Sequence, residues 1–139
     1  MTFTVEIPVR FRDIDGMGHV NNAVYFTYME QARAEWFRTR MRIRSVDKFG
    51  FILAHASCDF KAPIGLGETV VVVVTLTQLG DSSFHFAYEL RSKETGTLFA
   101  TGESVQVAYD YKAKRSRPLA AAFRAVLEAE LTPSGSRGT

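Results

Sequence analysis

Residues 11–36 read FRDIDGMGHVNNAVYFTYMEQARAEW, and this stretch decides the fold. It leaves a strand-like segment, crosses a short loop with two carboxylates, two glycines and a histidine, and enters a long helix through Asn21 and Asn22. Asparagine caps helices because its side-chain oxygen accepts a hydrogen bond from an unpaired backbone N–H of the first turn. Other unpaired N–H groups there can stabilise a developing oxyanion. Asp15, just upstream of this helix start, is therefore the first candidate for a reacting group.

Residues 22 to about 40 carry the periodicity of a helix. One face holds apolar residues at helical spacing: Tyr25, Met29, Ala32 and Trp36. The first two turns are apolar nearly all round, whereas the later turns carry charged residues. A helix that is apolar on every side at one end must be surrounded by other structure there. The pattern therefore predicts a central helix.

Strand patterns lie on both sides of this helix. Before it, apolar residues alternate from Phe3 to Phe11, and Pro8 indicates an edge strand because proline has no N–H to donate. After it, strand patterns cover residues 51–60, 69–79, 83–91 and 98–109, joined by short turns. The consecutive valines 70–74 favour a strand covered on both faces. Pro118 is expected to start a short C-terminal helix.

The order of these elements predicts the fold class. Hairpin-length connections imply an antiparallel sheet. With one apolar helix inserted after the first strand, we expect an α+β fold in which a curved antiparallel sheet wraps around one long central helix. Residues 1–131 should form a single domain, and residues 132–139, rich in Gly, Ser and Thr, are expected to be a disordered tail.

Composition narrows the functional classes. The 139 residues are 46% hydrophobic and 23% charged, as in ordinary soluble domains. A net charge of +2 gives no electrostatic reason to expect a nucleic-acid partner. No apolar run reaches the roughly 18 residues of a membrane span, and the N-terminus lacks the pattern of a secretory signal. The single Cys58 fits a small buried strand residue in a reducing compartment, so we expect a cytoplasmic protein.

Two segments resemble a known family. The loop 13–22, DIDGMGHVNN, resembles the signature of hotdog-fold acyl-CoA thioesterases of the 4-hydroxybenzoyl-CoA thioesterase-like branch. The helix adds residues of matching type at fixed spacing: Tyr25, Glu30, Ala32 and Arg33. Residues 59–63, DFKAP, resemble the second landmark of that family, and the order of elements matches over about residues 3–112.

The resemblance implies roles for the loop residues. The Asp at the position of Asp15 acts on the thioester, as nucleophile or as general base toward water. A backbone N–H at or near Asn22 polarises the carbonyl. His19 would orient water, hydrogen-bond Asp15 or contact substrate, or else be a loop histidine bonded to backbone. Gly18, in the same loop, is expected to contact the substrate. Because a thioester carbonyl is already activated, this chemistry requires neither a metal nor another cofactor.

The basic segment after the last strand is the candidate site for coenzyme A. Arg115 and Arg117 either contact its phosphates or are solvated surface charges. An exposed sheet edge invites pairing, and proteins that resemble this one generally pair two sheets with sites at the interface, so we expect a homodimer or homotetramer.

Several alternatives stay open at this stage. The chain could be a non-catalytic hotdog module that binds an acyl thioester, or a dehydratase of the same fold, although Asp15 beside the helix start favours a hydrolase. Glu30 and Arg33, at i and i+3, could form an ordinary helix pair. Asp13 is expected to stabilise the turn and not to act as a second catalyst.

Overall fold

A computed structural model describes residues 2–43 and 50–131 of the chain. Its elements are β1 (Thr2–Pro8), a 3-10 turn (Phe11–Asp13), α1 (Asn22–Arg40), β2 (Phe51–Phe60), β3 (Thr69–Leu79), β4 (Ser83–Ser92), β5 (Leu98–Asp110), β6 (Arg115–Ser116) and α2 (Ala121–Glu130). The predicted succession of a strand, a long helix and four longer strands is confirmed, and β6 is an addition. The predicted tail, residues 132–139, lies outside the described residues.

The strands form one antiparallel sheet in the order β1-β3-β4-β5-β2, with β6 paired to β5. Register shifts interrupt the pairing at Leu53/His55, Leu76/Gln78 and Leu90/Arg91. Such irregularities bend strands and increase their twist, and the sheet is accordingly curved. The α+β class and the antiparallel sheet are as predicted.

The two edges of the sheet differ in character. β1 is an edge strand, as Pro8 predicted, and among the described strands it pairs only with β3. Its exposed Glu6 forms an ion pair of 3.0 Å with Lys93. The opposite edge is β2, which runs over ten residues, contains no proline or lysine, and exposes Leu53 and Phe60.

Helix α1 packs against the inner face of the sheet. Its buried side chains lie along one face: Tyr25, Tyr28, Met29, Ala32, Trp36 and Phe37. The Met29 side chain of α1 packs on Gly102 of β5, where a Cβ atom would lie 2.5 Å from Met29 Sδ and 2.8 Å from the Ser57 carbonyl oxygen. Glycine is favoured at this position because a Cβ atom would collide with the backbone carbonyl of Ser57 on β2, which cannot move aside as the Met29 side chain can.

A second helix, α2, covers the same face of the sheet. The ring of Phe123 lies 4.5 Å from that of Phe51, and Leu127 is fully buried. Phe37, near the end of α1, stacks on Phe51 at 5.5 Å and meets Phe84 edge-on at 6.0 Å. The aromatic core therefore joins both helices to the sheet. Among residues 2–43 and 50–131, no helix is both long enough and apolar enough to cross a membrane.

Two expectations about the strands are wrong. The first strand ends at Pro8 instead of Phe11, and the Phe11 side chain is 82% exposed because the chain turns into the 3-10 segment there. The valines of β3 are fully buried on one face only. Val72 is fully buried on the inner face, whereas Val73 is half-buried on the outer face.

Two expectations about the helices also need correction. Pro118 does not start α2, which begins three residues later at Ala121. The first turns of α1 are not enclosed on every side within one subunit, since Ala23 and Phe26 are exposed. This open side of the helix faces the β2 edge, where residues 2–43 and 50–131 supply no covering element.

Candidate active site

A hydrogen-bonded turn fixes Asp15 immediately before α1. The Asp15 N–H donates to the His19 carbonyl oxygen at 2.9 Å, and the Gly18 N–H donates to the Asp15 carbonyl oxygen at 3.0 Å. Gly18 has φ = 83°, a left-handed conformation that glycine adopts without strain. Gly18 therefore shapes this turn, and the expected contact of Gly18 with substrate stays a prediction.

The Asp15 carboxylate is half-buried and only partly engaged. Its Oδ1 atom accepts the Met17 N–H at 2.9 Å. Its Oδ2 atom has no hydrogen-bond partner within the described residues. One oxygen is thus held in place while the other is available to attack a carbon or accept a proton.

The start of α1 lies beside this carboxylate. Asn21 is the N-cap, and its side-chain oxygen accepts the Ala23 N–H at 2.9 Å, as predicted for a capping residue. Asn22 is the first helical residue, and neither its N–H nor its side chain is hydrogen-bonded within the described part of the chain. The Asn22 N–H is an unpaired donor at the positive end of the helix dipole.

One cavity of about 490 Å³ brings these groups together, and Asp15, His19, Asn22, Tyr25 and Phe60 are among its lining residues. The Tyr25 and Phe60 rings meet edge-on at 4.8 Å. The His19 side chain is exposed and makes no hydrogen bond within residues 2–43 and 50–131. Three of the predicted site residues, Asp15, His19 and Asn22, thus share one cavity.

The segment after β2 forms the opposite wall of the cavity. The Val20 N–H donates to the Ile64 carbonyl oxygen at 2.8 Å, and the Tyr25 hydroxyl donates to the Ala62 carbonyl oxygen at 3.3 Å. Lys61 and Pro63 complete this wall. The lining residues of this segment fall within the DFKAP stretch at 59–63, for which the sequence indicates a resemblance to a family landmark but no specific role.

The buried Asp13 carboxylate anchors the loop to the rest of the protein. The carboxylate is 2% exposed and accepts hydrogen bonds from the Tyr28 hydroxyl at 2.8 Å, the Arg10 N–H at 2.9 Å and the Arg10 guanidinium at 3.1 Å. Burial acts to raise the pKa of Asp13, but the hydrogen bonds from Arg10 and Tyr28 outweigh it and hold that pKa below its ordinary value. These contacts agree with the predicted structural role of Asp13.

Cys58 is poorly placed as a nucleophile. Burial raises the pKa of the Cys58 thiol, and the neighbouring Asp59 raises it further. A raised thiol pKa reduces the fraction of thiolate, which is the reactive form. Among the described residues, no three His, Cys, Asp or Glu side chains are grouped so as to hold a metal ion.

Arg115 and Arg117 lie far from this cavity within one subunit. The Arg117 guanidinium donates to the carbonyl oxygens of Tyr109 and Gly50 at 3.4 Å each, next to the start of β2. The cavity adjoins Phe60 at the other end of β2, and a ten-residue strand spans about 30 Å. The structure therefore separates the predicted coenzyme A contacts from Asp15, and it engages Arg117 with backbone.

Comparison with known proteins places the chain among thioesterases. The sequence profile of the Thioesterase-like superfamily matches residues 9–127. A 1,4-dihydroxy-2-naphthoyl-CoA hydrolase of Synechocystis is 31% identical over 122 residues, which is 85% of this chain and 88% of that protein. A Thermus thermophilus thioesterase, solved in complex with coenzyme A and Zn, is 37% identical with a TM-score of 0.80 and covers 91% of this chain and 92% of its own.

The fold itself has a further match at lower sequence identity. A predicted thioesterase from Bacillus stearothermophilus superposes with a TM-score of 0.87 over 95% of this chain and 98% of its own, at 24% identity. At this level of identity the likeness describes the fold alone.

Proposed function

This chain belongs to the thioesterase-like superfamily and is a thioester hydrolase of the hotdog fold, and on this basis we propose that it hydrolyses an acyl-CoA with Asp15 as the reacting carboxylate. The products are a free acid and coenzyme A. The observation that carries the proposal is the shared cavity, which is lined by Asp15, with one unengaged carboxylate oxygen, and by Asn22, with an unpaired backbone N–H.

In the proposed reaction, Asp15 and the Asn22 N–H both act on the carbonyl group of the thioester. The thioester oxygen accepts the Asn22 N–H, so that negative charge developing on this oxygen is stabilised. In one route Asp15 Oδ2 attacks the carbonyl carbon, the coenzyme A thiolate leaves, and water hydrolyses the resulting anhydride. In the other route Asp15 takes a proton from a water molecule that attacks the carbon, and the C–S bond breaks as the coenzyme A thiolate leaves. His19, exposed at the same cavity, is placed to contact water or substrate.

A dimer through β2 is also proposed. Two β2 edges paired antiparallel would bring the partner's β2 start, and the basic segment beside it, toward this subunit's Phe60 and the cavity. In such a dimer, Arg115 would lie near the partner subunit's cavity, although it is far from Asp15 of its own subunit. It would then be placed to contact the coenzyme A bound there, as predicted. A tetramer and a cytoplasmic location stay predictions.

The test is thiol release from a panel of acyl-CoAs by the wild type and by Asp15→Asn. Asn has nearly the same shape as Asp but neither attacks nor accepts a proton effectively at neutral pH. We expect Asp15→Asn to lower kcat at least about 100-fold. Asp59→Asn is the matched control, because it removes an exposed carboxylate at the end of β2 close to the cavity mouth.

Each outcome of this test decides between functions. An intact mass measured during turnover that shows an acyl adduct on the wild type identifies the nucleophilic route. Full activity of Asp15→Asn would show that Asp15 is not the reacting group. Binding of an acyl-CoA without turnover by the wild type would favour the non-catalytic module.

A further inference from the structure

The loop that carries Asp15 is a tight hairpin whose base adjoins the start of α1. The Asp15 N–H donates to the His19 carbonyl oxygen at 2.9 Å, and the Asn21 N–H donates to the Asp13 carbonyl oxygen at 2.9 Å. An antiparallel bridge lies between these two hydrogen bonds. Asp13 and Asn21 are therefore the pair at the base of the hairpin, and α1 begins directly after Asn21.

A buried side-chain hydrogen bond joins this hairpin to the body of α1. The Tyr28 hydroxyl, in the second turn of the helix, donates to Asp13 Oδ2 at 2.8 Å. Within residues 2–43 and 50–131, no other side-chain hydrogen bond connects residues 13–21 with the helix beyond its first turn. The backbone dihedral angles at Asn21 are soft, so the bond from Tyr28 restrains the angle between the hairpin and the helix.

Arg10 holds the Asp13 carboxylate from another direction. Asp13 Oδ2 also accepts the Arg10 N–H at 2.9 Å, and Asp13 Oδ1 accepts the Arg10 guanidinium at 3.1 Å. The Arg10 side chain is 59% exposed, so its guanidinium can be hydrated if this contact is lost. The Tyr28 hydroxyl and the Arg10 N–H, in contrast, share Oδ2. The position of the hairpin therefore depends on an acceptor at Oδ2 more than on the negative charge of Asp13.

The angle between hairpin and helix sets the relative position of the two proposed reacting groups. Asp15 belongs to the hairpin, whereas the Asn22 N–H belongs to the first residue of the helix. Because both groups act on the same carbonyl in the proposed reaction, a change in this angle moves the carboxylate away from the carbon that it must reach. A misplacement of about 1 Å can lower a reaction rate about 10²-fold.

We propose that Tyr28 and Asp13 are positioning residues, whose buried hydrogen bond holds Asp15 in place relative to the Asn22 N–H. Neither Tyr28 nor Asp13 is among the lining residues of the cavity at Asp15. Asp13 acts as a hydrogen-bond acceptor and not as a second base. This inference rests on the proposed function and adds two residues that act on the reaction through Asp15.

The experiment measures how much Asp15 contributes to kcat with and without the hydrogen bond from Tyr28. The substrate is whichever of benzoyl-CoA, 4-hydroxybenzoyl-CoA and octanoyl-CoA the wild type hydrolyses fastest. The measured quantity is the ratio of kcat without and with the Asp15→Asn substitution, which should be at least about 100 when Tyr28 is present. In Tyr28→Phe we expect this ratio to fall about tenfold, with KM unchanged within about twofold. A smaller folded fraction would lower both rates equally and leave the ratio unchanged.

Two substitutions of Asp13 distinguish an acceptor from a charge. Asp13→Asn keeps an oxygen that can accept from Tyr28 and Arg10, whereas Asp13→Ala removes it. The kcat of Asp13→Asn should therefore be at least about fivefold above that of Asp13→Ala. Tyr111→Phe is the matched control for Tyr28→Phe, because it removes an exposed hydroxyl that bonds a backbone carbonyl, and it should leave kcat unchanged.

The outcomes separate this inference from the function on which it rests. If the ratio is the same in Tyr28→Phe as in the wild type, the bond contributes only to folding, and the inference is wrong while the proposed function stands. Equal kcat values of folded Asp13→Asn and Asp13→Ala would also contradict it, because Asp13 would then act through its charge. If Asp13→Ala does not fold, the ratio in Tyr28→Phe decides alone. If no acyl-CoA is hydrolysed, or if Asp15→Asn is fully active, the proposed function fails and the inference fails with it.

Discussion

The Tyr28 hydroxyl donates a hydrogen bond of 2.8 Å to the carboxylate of Asp13, which lies 15 residues earlier in the chain. Both side chains are buried, at 1% and 2% exposure. The bond ties the second turn of α1 to the loop that carries Asp15. The Asp13 carbonyl oxygen also accepts the Asn21 N–H at 2.9 Å, so the same residue contacts the helix cap. Loop and helix start are therefore held as one unit.

Tyr28→Phe should lower the free energy of unfolding by about 1.5–3 kcal/mol, because the buried Asp13 carboxylate loses a hydrogen-bond donor and cannot be hydrated instead. Urea denaturation measures the change. Tyr111→Phe is the control, since the Tyr111 hydroxyl bonds a backbone carbonyl on the exposed surface. Equal and small effects of the two substitutions would show that the Asp13 contact contributes little.

The stability contributed by Asp13 should disappear in acid. Its pKa is lower in the folded protein than its ordinary value of 3.8, so the folded state favours the ionised carboxylate. This stabilisation is present above the ordinary pKa and is lost as the pH falls through the lower, folded pKa. The difference in unfolding free energy between wild type and Asp13→Asn should shrink as the pH is lowered below about 4. A difference that is constant with pH would contradict this expectation.

Asn22→Pro should test the backbone donor without unfolding the helix. Proline is favoured at the first helical position and removes only an N–H that is unpaired there. Asn21 is already extended, with φ = −61° and ψ = 143°, as the residue before proline requires. We expect kcat to fall about 10²–10³-fold. Asn22→Ala keeps the N–H and should remain within about threefold of the wild type.

The β2 dimer should depend on the exposed Leu53. Leu53→Asp places a charge on the β2 edge that the proposed dimer would bury, which should shift the protein from dimer to monomer. Light scattering coupled to size-exclusion chromatography measures the mass. Leu66→Asp is the control, because Leu66 is equally apolar and exposed but lies outside β2. A dimer that survives Leu53→Asp would point to another interface.

Arg115→Glu should raise KM for an acyl-CoA at least about threefold, but leave KM unchanged for the matching acyl-pantetheine thioester, which lacks the nucleotide phosphates. Arg115 is exposed on β6, so its substitution should not change the melting temperature. Arg91→Glu reverses a charge on β4 and should affect neither substrate. Equal increases in KM for both thioesters would exclude a phosphate contact.

Local patterns predicted the elements and the loop well. The alternation of Phe84, Phe86, Tyr88 and Leu90 gave the inner face of β4, and all four are buried. The site residues of the loop from Asp13 to Asn22 could be predicted because they are contiguous in sequence and must therefore lie close together. Asp15, His19 and Asn22 accordingly line one cavity.

Contacts between distant segments could not be predicted in the same way. Arg33 had a partner of opposite charge three residues away, yet it bonds Tyr88, 55 residues later, because the register of β4 places that hydroxyl beneath the helix. The distance of Arg115 from Asp15 depends on the length and direction of β2, which sequence spacing does not reveal. Phe11 continued an alternating pattern, but the chain turned before reaching it.

The unequal edges of the sheet limit how copies of the chain can assemble. The β1 edge ends in a residue without an N–H and carries an exposed ion pair, whereas β2 has neither protection. A sheet with two open edges could add copies without end and grow into a fibre. A sheet with one open edge is complete after a single addition, because the two-fold pairing consumes the open edge of both copies. If copies of this protein pair through β2, as proposed, strand addition therefore stops at two chains.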